Sequence, residues 1–257
     1  MSRYSSRLFI LLLVIWLAFG LRLYRLDAQE LWGDESVSVG ARRLSEAQVL
    51  LGKTDVHPPL YFFVLREGLL AAGTSVFAIR FVSVFWGTLI VPLVYRIGKR
   101  AMGQTVGTLA ALLTTVSALQ VFYSQEARMY SMATAWAAAS LWCAVELLRR
   151  AKPGTAQGAP GERGWWAGFV VASLVGMYTH YFVAFVVMAE GLALLWTARQ
   201  DRRLFVRLFA ATAIVSALYA PWIPIQRQYA ASQAYARWNL LTPGVLVEVV
   251  RQTLMSW

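Results

Sequence analysis

Two adjacent carboxylates stand a few residues beyond the first apolar run of the chain. Residues 31–36 read Leu-Trp-Gly-Asp-Glu-Ser, so Asp34 and Glu35 follow a tryptophan and a glycine. A carboxylate at the mouth of an apolar cavity can act as a general base toward a hydroxyl, or can bind a cation. The alternative is structural, because Asp34 can cap a helix that begins near Val37, where the helix dipole also favours Glu35.

A second polar group lies in a short turn between two apolar runs. Residues 123–130 read Tyr-Ser-Gln-Glu-Ala-Arg-Met-Tyr, which puts Glu126 and Arg128 at the predicted membrane boundary. Polar side chains at that depth are usually paired or functional. Arg128 can hold a phosphate with two parallel N–H groups. The alternative is an internal pair between Glu126 and Arg128 that holds the turn.

The two histidines and one arginine complete the candidate residues. His57 precedes two prolines and, taken alone, reads as a loop residue. His180 stands beside Tyr181 at the apex of another predicted turn, on the same side as the groups above, so a structural and a substrate-binding role stay equally open. Arg80, near the start of an apolar run, either reaches toward lipid head groups or helps bind an anionic lipid.

Composition excludes a soluble protein. Of the 257 residues, 58% are apolar and 14% are charged, whereas soluble domains carry about 25% charged residues. A globule of this size cannot bury so much apolar side chain, so the lipid bilayer must surround most of the chain. The single cysteine, Cys143, excludes a disulfide framework and a cysteine-based zinc site.

We predict an all-α, polytopic membrane protein with about seven transmembrane helices, since a span needs about 20 mostly apolar residues. The first run is followed by no signal-peptide cleavage motif and is taken as an uncleaved span. The predicted spans are Leu8–Leu21, Val76–Tyr95, Thr105–Phe122, Met129–Leu148, Trp165–Tyr181, Phe182–Trp196 and Leu208–Ile223.

The distribution of charge predicts the orientation. Thirteen of the 24 basic residues fall in short segments at alternate ends of the spans, and nine of the 13 acidic residues fall on the other side. Basic loops mark the cytoplasm, so the N-terminus is predicted to be cytoplasmic, and the net charge of +11 does not indicate nucleic acid. Residues 24–75 then form a long outer loop with an interfacial helix over Val37–Leu51 and a helix start after Pro58 and Pro59. Residues 149–164 read as a cytoplasmic linker.

Six motifs recur in an order that resembles a known family. They are Trp32-Gly-Asp-Glu, His57-Pro-Pro-Leu-Tyr, Phe77-Ala-Ile-Arg-Phe, Val91-Pro-Leu-Val-Tyr-Arg, Tyr123-Ser-Gln-Glu-Ala-Arg-Met-Tyr and Thr179-His-Tyr-Phe. In them the chain resembles bacterial glycosyltransferase family 39 proteins of the GT-C fold, relatives of the protein O-mannosyltransferases and of the lipid A aminoarabinose transferase. The resemblance runs from the first span to about Trp222.

The resemblance implies one GT-C-like domain over residues 1–257 with a long first outer loop. It implies transfer of a sugar, usually with inversion, from a polyprenyl phosphate donor to a lipid, glycan or protein acceptor at the outer face of the bacterial cell membrane. Asp34 then becomes the catalytic base or a carboxylate that orients the acceptor, supported by Glu35. His57 falls near the lipid phosphate or a metal, so a divalent metal stays open as a cofactor. The predicted donor-phosphate and substrate site comprises His57, Arg80, Glu126, Arg128, His180 and Tyr181.

Two other functions are weighed against this one. A transporter or flippase of an amphiphile would line a path with the same charges, but such proteins commonly carry internal repeats and midplane sites. Here only Glu190 is central, and we expect it to be hydrogen-bonded or protonated and assign it no role. A catalytically inactive membrane partner is the other alternative. Family members are usually longer, so we expect a truncated member or an N-terminal part.

Overall fold

The chain is all-α, as predicted, in a computed structural model that describes residues 3–151, 161–199, 201–228 and 231. No strand occurs within these ranges. The helices are α1 (Arg3–Leu23), α2 (Gly33–Gly40), α3 (Glu46–Leu50), α4 (Leu60–Ala72), α5 (Val76–Met102), α6 (Gln104–Val116), α7 (Ala118–Ser124), α8 (Tyr130–Arg150), α9 (Glu162–Thr179), α10 (Val183–Ala198), α11 (Arg202–Tyr219) and α12 (Trp222–Gln228).

Two helices in the described part of the chain, α5 and α8, are long and apolar enough to cross a membrane. Two bent pairs bring the number to four if each pair is one span: α6 with α7, bent by 59°, and α11 with α12, bent by 47°. Helices α1, α9 and α10 coincide with the other three predicted spans, but they are not among these two helices and two bent pairs. The all-α membrane architecture is therefore confirmed, and the count of seven spans is not.

The predicted orientation can be measured by cysteine labelling. In a Cys143→Ala background, Ala28→Cys and Ser36→Cys should react in intact cells with a thiol reagent that does not cross membranes, because both positions are exposed and lie on the predicted outer side. Gly164→Cys, exposed at the start of α9, should react only after the cells are opened. If only Gly164→Cys reacted in intact cells, the orientation of the chain in the membrane would be the opposite of the predicted one.

A buried arginine stabilises the break between α6 and α7. Arg22 is fully buried and donates to the carbonyls of Thr114 and Thr115 in the last turn of α6 and to Ser124 Oγ at the end of α7. The carbonyls at a helix end lack intrahelical partners, so a cation there both bonds them and suits the dipole. A Cβ on Gly87 of α5 would lie 2.0 Å from Ser124 Oγ, so this position needs glycine for the helices to approach.

The long outer loop is helical, with different bounds from those predicted. A single interfacial helix over Val37–Leu51 is wrong, because α2 begins earlier at Gly33 and the chain leaves the helix at Leu44, after a 3₁₀ turn over Ala41–Arg43. Helix α3 then starts afresh, with Ser45 accepting a hydrogen bond from the Gln48 amide. The helix start after Pro58 and Pro59 is confirmed, since α4 begins at Leu60.

The linker predicted over residues 149–164 is shorter than expected. Helix α8 continues to Arg150, and α9 already begins at Glu162. Residues 152–160 lie outside the described part of the chain.

One core cluster joins the outer loop to the membrane helices. Fully buried Tyr61, Phe62 and Leu65 of α4 pack with Ile79 of α5 and with the apolar residues on both sides of the start of α8, which are Ala127, Met129 and Met132. The hydroxyl of Tyr61 bonds Ser83 Oγ, which in turn donates to the Arg128 carbonyl. This packing brings the outer loop, the start of α5 and the turn over residues 125–129 against one another, so the polar residues singled out above meet on one side.

Candidate active site

Glu35 is buried at the centre of the polar group and is fully engaged by protein donors. Its carboxylate accepts from Arg80 Nε at 2.9 Å, from Arg80 Nη2 at 2.8 Å and from the Ala127 amide at 2.8 Å. Burial alone would raise the pKa of Glu35, but the Arg80 guanidinium and the backbone amides outweigh it and lower that pKa. Glu35 is thus an ionised support that joins α2 to α5 and to the 125–129 turn.

Arg80 has no N–H group left for a ligand. Besides the two bonds to Glu35, its Nη1 donates to the carbonyls of Leu26 and Gln29, and its Nη2 donates to that of Glu30. A guanidinium has five N–H groups, and all five are used. The structure therefore argues against the predicted contact of Arg80 with lipid head groups or a donor phosphate, and makes Arg80 a clamp on residues 26–30.

Asp34 differs from its neighbour by being exposed. It is the second residue of α2, and the residue before that helix is Trp32, so Asp34 as the N-terminal cap of a helix near Val37 is wrong. Within the described residues its carboxylate makes no hydrogen bond or ion pair, while its carbonyl accepts from Arg128 Nη1 at 3.2 Å. The carboxylate is open to a substrate.

The Arg128 guanidinium is bonded to the protein through Nη1 but not through Nε. Its Nη1 donates to Asp55 Oδ2 at 2.9 Å and to Ser38 Oγ at 3.3 Å. The alternative of a Glu126–Arg128 ion pair is wrong, because Asp55 is the carboxylate that Arg128 contacts. Arg128 Nε is buried and has no hydrogen-bond partner in the part of the chain that the structure describes. An orphaned buried donor is costly and points to an acceptor that a ligand can supply.

Both histidines lie beside this arginine in a stack of rings. The His57 ring is parallel to that of Tyr181, with 5.6 Å between centroids, and lies 4.9 Å from that of His180. His57 Nδ1 is 3.3 Å from Asp55 Oδ1, without a hydrogen bond between them. Burial tends to raise the pKa of Asp55, but His57 and Arg128 lower it overall, so the carboxylate stays ionised.

His180 is neutral near pH 7. Burial, followed by the charges of His57 and Arg128, lowers its pKa to about 4. Its Nδ1 accepts the Phe182 amide at 3.1 Å, so the ring proton lies on Nε2. His180 can therefore give one neutral hydrogen bond to a phosphate and no charge.

The residues near His57 do not fit a metal centre. Asp55, His57 and His180 are neighbours, yet no group of three or more His, Cys, Asp or Glu in the described ranges is arranged to hold one ion.

Glu126 faces a separate cavity of about 390 Å³ beside the clamp. The cavity is bounded by Tyr24, Trp32 and Phe122 as well as by the Glu35–Arg80 pair. Burial, and then the negative charge of Glu35, raises the pKa of Glu126. Its carboxylate makes no hydrogen bond or ion pair with the described residues, so it is available to a ligand in the cavity.

The structure thus divides the predicted residues into two neighbouring groups. The first group lines the cavity and consists of Glu35, Arg80 and Glu126. The second group, the ring cluster, consists of His57, Arg128, His180 and Tyr181. The Asp34 carbonyl contacts the ring cluster through Arg128.

Sequence reasoning missed Asp55, although its place two residues before His57 was a signal. It also missed Arg22, whose signal was a charge at the end of an apolar run.

Comparison with known proteins identifies the family. The family model described as dolichyl-phosphate-mannose-protein mannosyltransferase matches residues 56–225, about two thirds of the chain. No curated protein matches the chain. The matched part holds five of the motifs recognised in the sequence, from His57 to Thr179, and supports a membrane glycosyltransferase with a GT-C fold. The chain therefore belongs to the dolichyl-phosphate-mannose-protein mannosyltransferase family.

Proposed function

We propose that this protein transfers a sugar from a polyprenyl phosphate donor to an acceptor at the extracytoplasmic face of the bacterial cell membrane. Family membership supports glycosyl transfer. The polar side chains of the outer loop and of the 125–129 turn lie together. The distribution of basic residues predicts that this side of the membrane is the outer one. A lipid-linked donor presents its phosphate at such an interface, while its acceptor arrives from the aqueous side.

One observation supports this proposal: an arginine with an unpartnered N–H group contacts the backbone of the residue that bears the exposed carboxylate. Arg128 Nη1 donates to the backbone carbonyl of Asp34 at 3.2 Å, and Arg128 Nε has no hydrogen-bond partner among the described residues. A donor phosphate bound by Arg128 would be within reach of the same end of α2 that carries the Asp34 carboxylate. The site thus offers a cation for the leaving group and a base for the nucleophile.

The proposed step is a single displacement. The acceptor hydroxyl oxygen attacks the anomeric carbon, Asp34 takes the hydroxyl proton, and the bond from that carbon to the phosphate oxygen breaks. The electron pair leaves with the polyprenyl phosphate, whose charge Arg128 stabilises. His180 Nε2–H is the second donor we assign to the phosphate, and Glu35 with Arg80 holds α2 in place. Attack opposite the leaving group inverts the anomeric carbon.

The donor-binding role of Arg128 can be tested directly. Arg128→Ala should weaken binding of polyprenyl phosphate mannose roughly ten- to a hundredfold, since a charge-assisted bond to phosphate contributes about 1.5–3 kcal/mol. Arg128→Lys should recover only part of the affinity, because lysine lacks the planar fork. Binding can be measured with the purified full chain in detergent by displacement of a fluorescent polyprenyl phosphate.

Arg66 provides a control of the same residue type in the same outer region. It pairs with Glu67 and donates to the Leu44 carbonyl, away from the ring cluster. Arg66→Ala should keep donor affinity near that of the parent in the folded fraction. If both Arg128 variants bound the donor with the affinity of the parent, Arg128 would not be a ligand of the donor phosphate.

A further inference from the structure

Helices α9 and α11 lie side by side and leave an apolar groove of about 440 Å³ between them. Ala167 and Val171 of α9 form one wall, and Ala210 and Ile214 of α11 form the other. On each helix these residues are four apart, so they make a continuous stripe along its axis. The small alanines leave the groove open, and the branched residues continue its apolar lining.

One end of this groove is cationic. Arg163 and Arg207 line it at the end where both helices begin. Arg207 forms an ion pair with Glu162, whereas the exposed Arg163 forms none within the described ranges. Both guanidinium groups and the positive ends of the two helix dipoles lie at this same end of the groove.

We propose that this groove binds an anionic phospholipid, with its phosphate at Arg163 and Arg207 and one acyl chain along the two stripes. The stripe from Arg163 to Val171 spans about 12 Å at 1.5 Å per residue, a length that a free phosphate ion would leave empty. Basic pockets between membrane helices on the cytoplasmic side bind such lipids, and the basic loops place this end in the cytoplasm.

This proposal is independent of the sugar transfer proposed above. The groove lies at the opposite end of the helices from the ring cluster, since α9 runs from Glu162 at the groove to Thr179 beside His180. The occupant is thus a bound lipid of the inner leaflet, distinct from the sugar donor.

Native mass spectrometry of the purified full chain can count bound lipids. With added phosphatidylglycerol, the parent should retain one lipid at concentrations where phosphatidylcholine is not retained. Arg163→Gln combined with Arg207→Gln should weaken phosphatidylglycerol binding at least about tenfold, because two charge-assisted contacts to the phosphate are lost. Equal retention of the two lipids by the parent would overturn the proposal.

Two further variants separate this site from a general charge effect. Arg202→Gln removes an exposed charge at the start of α11, outside the groove, and should leave binding within about twofold. Ala210→Trp keeps every charge and fills the groove, so it should lower lipid retention like the double variant. A loss in Arg202→Gln as large as in the double variant, or parent-like retention in Ala210→Trp, would overturn the proposal.

Discussion

Asp34→Asn should give abundant, folded, membrane-inserted protein whose rate of sugar transfer is lower by at least about a hundredfold. General base catalysis contributes about 10²–10⁴-fold, and an amide cannot take the acceptor proton. The structure sharpens this expectation, because the Asp34 side chain neither caps α2 nor pairs with another residue among those described. The rate can be followed as release of labelled sugar from polyprenyl phosphate mannose by the full chain in proteoliposomes.

Asp27 supplies the matched control for that variant. It is another exposed carboxylate of the same outer loop, so Asp27→Asn changes the net charge equally and should leave transfer near the parent rate. Asp34→Ala should fold like Asp34→Asn and be equally slow. Transfer within a few-fold of the parent in Asp34→Asn would remove this residue from the chemistry and leave Glu126 as the next carboxylate to test.

The second large effect is expected on folding, at the Glu35–Arg80 pair. Glu35→Gln leaves the buried Arg80 cation without its carboxylate, and breaking a buried pair in this way costs about 3–5 kcal/mol. The protein should therefore melt at a much lower temperature and accumulate less in membranes. Thermal unfolding of the purified chain in detergent, followed by tryptophan fluorescence, measures the loss.

Two companion variants separate the broken pair from a general loss of charge. Glu35→Gln combined with Arg80→Met leaves no unpaired charge and should recover much of the stability lost in Glu35→Gln alone. Glu30→Gln alters an exposed side chain of the same loop and should change the free energy of unfolding by no more than about 0.5 kcal/mol. A Glu35→Gln protein that melts like the parent would show that the pair does not hold α2.

The sequence predicted what depends on local pattern. The apolar runs of α5 and α8 exceed the length of a span, the Pro58–Pro59 pair marks the start of α4, and residues 123–130 interrupt two apolar runs. Each is a property of neighbouring residues. The six motifs also led to the family that the comparison confirmed.

What the sequence left open depends on helix phase and on distant partners. Because α2 begins at Gly33, Asp34 points outward and Glu35 inward, and a shift of one residue would exchange them. The partner of Glu35 is Arg80, 45 residues along the chain, and the carboxylate beside Arg128 is Asp55, 73 residues away. Neither pairing has a local signal. The break at Ser117 likewise depends on Arg22, which reaches it from another helix.

In the proposed reaction the sugar donor is a polyprenyl phosphate sugar. To test this, the full chain in proteoliposomes, with membrane extract as the source of acceptor, is given labelled mannose either on a polyprenyl phosphate or on a nucleotide diphosphate. We expect transfer from the lipid-linked donor only, with release of polyprenyl phosphate, and we expect both the transfer and the release to be lost in Asp34→Asn. Transfer from the nucleotide sugar, or no transfer from the lipid donor by the parent chain, would contradict the proposal.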